Sequence, residues 1–315
     1  MKRIYVLLTL MIALSCFAGD FSGLEEVQAI ISGNTGTVSK DMARISELFL
    51  SRPYDPTGPL GEGEDARFDS DPLWRLDRFD CTTFVETVTA LALSRTVLDF
   101  KRNITAIRYN QGNVSYIDRN HFTSLDWIPN NITAGFFRDI SSDIAGPEIE
   151  TAKAVINRRA WYMSKKADSL KLTGLDAVES GLRLLELRLS GRNFEPVTAS
   201  LTYVPLSSLF RDMKPSGEKK TAHIPVRALF RRIPSGSVIN IVRPGWNLVK
   251  VCGTELNVSH QGLAIRKNGE LYFRHAAFGR CVQDELMTEY LARYLNHATI
   301  RGINVLAVMC LISGD

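Results

Sequence analysis

Two strand-like runs constrain this chain more than any other feature. Val258-Ser259-His260-Gln261-Gly262-Leu263-Ala264-Ile265 and Glu270-Leu271-Tyr272-Phe273-Arg274-His275-Ala276 are joined through Arg266-Lys267-Asn268-Gly269. Asn-Gly between two such runs is the strongest short hairpin signal, because both turn residues must take positive φ. With Asn268 and Gly269 as the turn, Lys267 faces Glu270, Gly262 lies opposite His275 and His260 lies opposite Ala277. His260 and His275 then share a face as diagonal neighbours about 7–8 Å apart, within reach of long side chains. Gly262 leaves room for the His275 ring. Leu271 and Phe273 fall on the same face, which is expected to meet the helix described next. A slip of one residue in the turn would put the two histidines on opposite faces, as ordinary sheet residues.

That helix begins at Asp80-Cys81. Phe84, Val85, Val88, Leu91 and Ala92 recur at three- and four-residue spacing, the period of one apolar helical stripe, and Asp80 suits the N-cap. Cys81 thus stands at the helix start, where unpaired N–H groups and the helix dipole favour a thiolate and can hold an oxyanion. A buried cysteine acting as a small hydrophobe is the alternative. A nucleophile, a base and a group that orients the base form the general pattern of covalent catalysis. Cys81, His260 and His275 supply it in that order.

The remaining chain is read more coarsely. Residues 19–50 are expected to be helical, and Pro53 to Asp71 a long Pro-, Gly- and Asp-rich loop. Residues 104–128 read as short strands. Residues 148–190 read as mostly helical, with Leu182, Leu185 and Leu189 on one face. Strands are expected at Gly236–Arg243 and Ile303–Ile312, with a helix around Asp284–Tyr294. Helices mainly before grouped strands indicate an α+β fold rather than a βαβ array. Arg119, His121, Asp126 and Trp127 form a polar-aromatic group suited to sugars and carboxylates, or to a buried network that holds a loop. Tyr54, Glu62 and Trp74 are further groove candidates that the sequence does not place.

Lys2 and Arg3 precede an apolar run from Ile4 to Leu14. Such a start, ending in small residues, reads as a signal peptide over residues 1–18, cleaved after Ala18. The rival, a lipoprotein signal with Cys16 lipidated, fits Ala13-Leu14-Ser15-Cys16 poorly. Residues 19–315 are then one catalytic domain with a mainly helical insertion around 140–200. Without Lys2 and Arg3 the net charge is about +2, too balanced to point to nucleic acid. No later stretch is long and apolar enough for stable membrane insertion, and none reads as an apolar or amphipathic membrane-binding surface. The five cysteines include no C-x-x-C, and the chain has no H-E-x-x-H. No metal and no cofactor are expected. Cys252, Cys281 and Cys310 read as structural.

Five segments, in order, resemble a known family: Gly58-Pro59-Leu60-Gly61-Glu62-Gly63, Phe79-Asp80-Cys81-Thr82-Thr83-Phe84-Val85-Glu86, Arg119-Asn120-His121-Phe122, Asp126-Trp127 and Val258-Ser259-His260-Gln261-Gly262. Together with His275-Ala276 they resemble the NlpC-type cell-wall cysteine peptidases, closest in the N-acetylmuramoyl-L-alanine amidase-like branch, over about residues 40–312. The resemblance implies a papain-like core, with the cysteine helix packed on an antiparallel sheet. It implies Cys81 as nucleophile, His260 as base and His275 as third residue. It further implies an exported, monomeric peptidoglycan hydrolase acting on muropeptides, at the bond between the muramic lactyl group and L-Ala and with preference for the 1,6-anhydro form. The alternatives on the same fold are a γ-D-Glu–diamino-acid endopeptidase and an acyltransferase or lipid hydrolase. Gly245–Asn257 departs from the family as a longer, irregular loop.

Overall fold

The computed structural model describes residues 23–213 and 222–310. The expected signal peptide, residues 1–18 with Cys16, lies outside them. Among the described residues ten strands form: β1 (Phe137–Asp139), β2 (Glu150–Ile156), β3 (Val197–Pro205), β4 (Phe210–Met213), β5 (Ala222–Pro225), β6 (Val238–Leu248), β7 (Thr254–Lys267), β8 (Glu270–Ala276), β9 (Val282–Leu286) and β10 (Gly302–Val308). Eight make one antiparallel sheet in the order β2-β3-β10-β6-β7-β8-β9, with β1 paired to β10; β4 and β5 pair separately.

The β7–β8 hairpin has the register that the turn dictates. Lys267 faces Glu270 and Leu263 faces Arg274, with φ of 49° at Asn268 and 84° at Gly269. Each sheet face carries its own apolar cluster. On one, Leu263, Ile265 and Ala276 meet Phe84, Val85 and Val88 of α3 (Cys81–Ala92), together with α1 (23–32), α2 (Val38–Leu48) and α4 (Val97–Arg108). On the other, Ala264, Leu271 and Phe273 pack against Met287, Tyr290 and Leu291. The face of Leu271 and Phe273 therefore meets a helix after β9, not the helix of Cys81. Strand alternation assigns the odd residues of β7 to α3, and the histidines go with the other set.

The starts of α3 and α4 follow their caps. Asp80 accepts from the Thr83 N–H at 2.7 Å, and its own N–H donates to Thr83 Oγ1 at 2.9 Å, which closes a capping box. Thr96 and Asp99 do the same for α4. That box carries the chain into helix to Arg108, where strands were expected; a 3₁₀ turn and a π turn at Thr123–Trp127 follow. Residues 150–156 are strand rather than helix, because Ala152, Ala154 and Ile156 alternate inward. Farther on, α5 (Ala177–Ser190) is helical as expected, yet Leu182, Leu185 and Leu189 face solvent, as does Val178, and Leu187 is the buried residue. An exposed apolar stripe thus exists where none was expected. Asp284 and Glu285 belong to β9, and helix is limited to α6 (Met287–Ala292). Gly245–Leu248 and Thr254–Asn257 continue β6 and β7, with Trp246 opposite Leu256, and a short helical turn at Val249–Cys252 joins them. No described helix is long and apolar enough to cross a membrane.

Candidate active site

Cys81 occupies the first turn of α3, ahead of the first intrahelical bond, from the Phe84 N–H to the Asp80 carbonyl. The N–H groups of Cys81 and Thr82 are therefore among those that a helix cannot satisfy internally. One hydrogen bond ties this turn to β7: Thr82 donates to Gln261 Oε1 at 2.7 Å. Beside them β7 carries a register shift: Ile241 pairs with His260 and Val242 with Val258, which leaves Ser259 as an extra residue. Bulges of this kind re-aim side chains at the edge of a site. A cleft of about 420 Å³ opens here, and Cys81, His260, His275, Tyr54 and Glu285 line it.

The two histidines meet directly. His260 Nε2 lies 2.7 Å from His275 Nδ1, and His275 Nε2 lies 3.0 Å from Glu285 Oε1. Phe273 stacks on the His275 ring at 4.6 Å. Gly262 makes the approach possible: a Cβ there would lie 2.8 Å from the Cβ of His275 and 2.6 Å from the Phe273 ring. The chain of bonds assigns the tautomers. A carboxylate accepts only, so His275 donates from Nε2, and its Nδ1 must accept from the His260 Nε2–H. The free lone pair of His260 is then on Nδ1. Glu285 is in turn held by Arg293. Against the cost of its partial burial, hydrogen bonds from Arg293 and His275 keep its carboxyl below the usual range.

Electrostatics reverse one expectation. Burial, with the Asp80 carboxylate next in importance, pushes the Cys81 thiol up to about 12. Withdrawal of the sulfur from water and the like charge of Asp80 both favour the thiol over the thiolate. Burial and then the neighbouring His275 draw His260 down to about 3. The pair is neutral at rest. Tyr54 is raised mainly by burial, then by Cys81 and Asp80, and remains a phenol that can donate a hydrogen bond into the cleft.

The other expected site residues lie apart from the sulfur. Arg119 is paired with Glu62 and, at 2.9 Å, with Asp69, and its guanidinium sits over the Tyr116 ring. His121 donates from Nε2 to the Tyr116 carbonyl at 2.8 Å; burial holds it well below its ordinary value. Both line a second cleft of about 350 Å³, on the side of α3 reached by Asp80 and Thr82. Trp127 is 1% exposed, donates to Glu86 at 2.9 Å and stacks on Phe137. Its ring is core and offers no face to a ligand. Asp126 accepts from the Phe122 N–H at 3.3 Å and lies 3.8 Å from Arg158; burial lifts it to about 6. Of the groove candidates, Tyr54 lines the Cys81 cleft, Glu62 is buried against Arg119, and Trp74 packs edge-on to Phe100. Glu285 was missed because its segment reads as helix; as a strand, Val282 to Leu286 would have put it across from Phe273. The described cysteines, Cys81, Cys252, Cys281 and Cys310, are free thiols.

An antiparallel α+β fold with a thiol at a helix start and two linked imidazoles in the same cleft defines the class to which this molecule is to be compared. The chain belongs to the N-acetylmuramoyl-L-alanine amidase-like family, which matches residues 44–303. That family points to a peptidoglycan amidase. A crystal structure of a Legionella pneumophila protein is 36% identical, covers 92% of this chain and 95% of its own, and superposes with a TM-score of 0.84. An N-acetylmuramoyl-L-alanine amidase from Bacteroides uniformis is 24% identical, with 86% of this chain and 98% of its own covered and a TM-score of 0.55; this likeness concerns the fold. No curated protein matches the sequence.

Proposed function

We propose that the protein is an exported cysteine amidase of the papain-like, NlpC-type class, made as residues 19–315 after loss of the leader. In this reading it cuts the amide between N-acetylmuramic acid, in its 1,6-anhydro form, and L-Ala of the stem peptide. The observation that carries the reading is the single cleft shared by Cys81 and the His260–His275 pair, in a chain whose family is amidase-like from residue 44 to 303.

The chemistry follows from the neutral pair. As the Cys81 sulfur attacks the lactyl carbonyl carbon, its proton passes to His260 Nδ1, and the carbonyl π electrons move to oxygen. The N–H groups of Cys81 and Thr82 face that oxyanion, where fixed donors are worth most. Collapse breaks the C–N bond, and the proton on His260 goes to the departing amine of L-Ala. Water, deprotonated by the same nitrogen, then attacks the thioester and frees the lactyl acid and the thiol. His275 holds the His260 ring, and Glu285 holds His275. These two act through His260.

Mass spectrometry of defined anhydro and reducing-end muropeptides tests this, with the mature protein and Cys81→Ala side by side. Intact disaccharide and free stem peptide from the wild type alone support the amidase. A cut at the γ-D-Glu–diamino-acid bond moves the function to an endopeptidase. No cleavage of either substrate, or activity that survives Cys81→Ala, overturns the proposal.

A further inference from the structure

The start of α3 divides two clefts. Cys81 faces one, while its neighbours Asp80 and Thr82 line the other. A substrate long enough to pass Cys81 on the side of Asp80 and Thr82 would meet the second cleft, whose charges would decide what it accepts there.

Most of them are already matched. Arg108 pairs with Glu86 at 2.8 Å, Arg119 with Glu62 and Asp69, and Lys171 with Asp71. The Asp80 carboxylate is occupied as the helix cap. Lys165 is different. Among the described residues its Nζ has no hydrogen bond and no ion pair within 4.0 Å; it stands 3.2 Å from the centroid of Trp161 and 6.0 Å from that of Tyr116. Ring faces hold a cation without satisfying its three donors. Burial, with Arg119 adding to it and Cys252 and Asp168 opposing, draws the amine down to about 7. A half-buried amine so placed gains its counter-charge from whatever fills the cleft.

We propose that Lys165 forms a carboxylate-binding subsite for the leaving peptide, which gives the enzyme a preference for stem peptides whose second residue carries a free α-carboxylate. This rests on the amidase reading, in which the peptide on the amine side of the cut begins L-Ala-γ-D-Glu and bears that carboxylate next to the γ-linked bond. A carboxylate carries one negative charge and can be matched by the single cation of Lys165, whereas a phosphate would bring a second negative charge into a cleft already lined by Asp69, Asp80, Glu86 and Asp168. Arg119 acts here as the fixed wall, since its own charge is spent on Glu62 and Asp69.

Calorimetric titration of the free peptide L-Ala-γ-D-Glu-diamino acid, and of its analogue with the α-carboxyl amidated, tests the subsite without turnover. Wild type, Lys165→Met and Lys165→Arg are compared, with thermal unfolding as the check on folding. Loss of one charge-assisted bond corresponds to about tenfold in affinity. The wild type should bind the acidic peptide about tenfold more tightly than the amidated one. Lys165→Met should bind the two alike, at the affinity of the amidated peptide, and Lys165→Arg should restore most of the difference. Equal binding of both peptides by the wild type, a preference that persists in Lys165→Met, or no binding of either peptide overturns the subsite. A clear preference in a wild type that cleaves no muropeptide leaves the subsite standing and removes the amidase reading instead.

Discussion

Replacing Gly262 by alanine puts the His260–His275 arrangement under direct strain. The new Cβ would lie 2.6 Å from Phe273 Cε2, 2.8 Å from the Arg274 carbonyl oxygen and 2.8 Å from His275 Cβ. Unstrained contacts between such atoms are about 3.5 Å or more, so β7 and β8 must part by roughly 0.7 Å. Two of the three atoms belong to or adjoin the backbone and cannot rotate away. Overpacking of this kind costs about 1–3 kcal/mol, and the fixed neighbours place Gly262→Ala near the upper end. The same displacement stretches the 2.7 Å contact between His260 Nε2 and His275 Nδ1 beyond useful hydrogen-bond length. With its tautomer and orientation released, His260 should lose about 100-fold in kcat, the scale of an ångström-sized misplacement. Urea denaturation reads the first effect, and initial rates on the best muropeptide, corrected for the folded fraction, read the second. Leu209→Ala is the control. Leu209 is fully buried in the cluster beneath the opposite edge, and its truncation costs a similar 2–5 kcal/mol while lining neither cleft. Activity per folded molecule should survive in Leu209→Ala and collapse in Gly262→Ala. A Gly262→Ala protein that unfolds at the wild-type midpoint, or that keeps full kcat, refutes the argument from close approach.

Three further outcomes follow from the same geometry. Glu285→Gln keeps an acceptor for the His275 Nε2–H but loses the charge; it should lower kcat by a few-fold, and Glu285→Ala by about tenfold, with KM unchanged in steady-state assays. Equal rates for all three proteins would remove Glu285 from the relay. Trp127→Phe deletes the donor to buried Glu86 and should cost about 1–3 kcal/mol of stability, seen as a lower denaturation midpoint, with KM unaltered; a raised KM would return Trp127 to the substrate groove. Stability should also fall in acid because of His260. Its folded value of about 3 lies below the unfolded value of about 6.5, so between these the unfolded chain binds the extra proton. The contribution is complete above pH 6.5, is reduced by about 2 kcal/mol at pH 5, and goes on falling toward pH 3. Denaturation midpoints of wild type and His260→Gln should therefore converge as pH drops from 7 to 5, and parallel curves would contradict the buried neutral imidazole.

Local rules wrote much of the site into the sequence. The Asn268-Gly269 turn permits one register, and that register alone puts His260 and His275 on a common face with Gly262 making room. Asp80 and Thr83 form a cap four residues wide, which fixes Cys81 at a helix start. The grouping of β6, β7, β8 and β10 in the last third of the chain was legible for the same reason, since alternation and turn chemistry act over a few residues. What depends on partners far away in the chain was not. Ala152, Ala154 and Ile156 alternate too weakly to announce a strand until β3 pairs with it. Leu182, Leu185 and Leu189 share a helical face in the sequence, yet only the tertiary structure decides that this face meets solvent. The indole of Trp127 is as suited to a sugar as to a core, and the buried Glu86 claims it. Even the charge state of Cys81 is a tertiary property. The helix start favours a thiolate locally, but partial burial of the sulfur against β7 and the nearby Asp80 carboxylate push the thiol up to about 12, because a sulfur drawn out of water beside a like charge holds its proton.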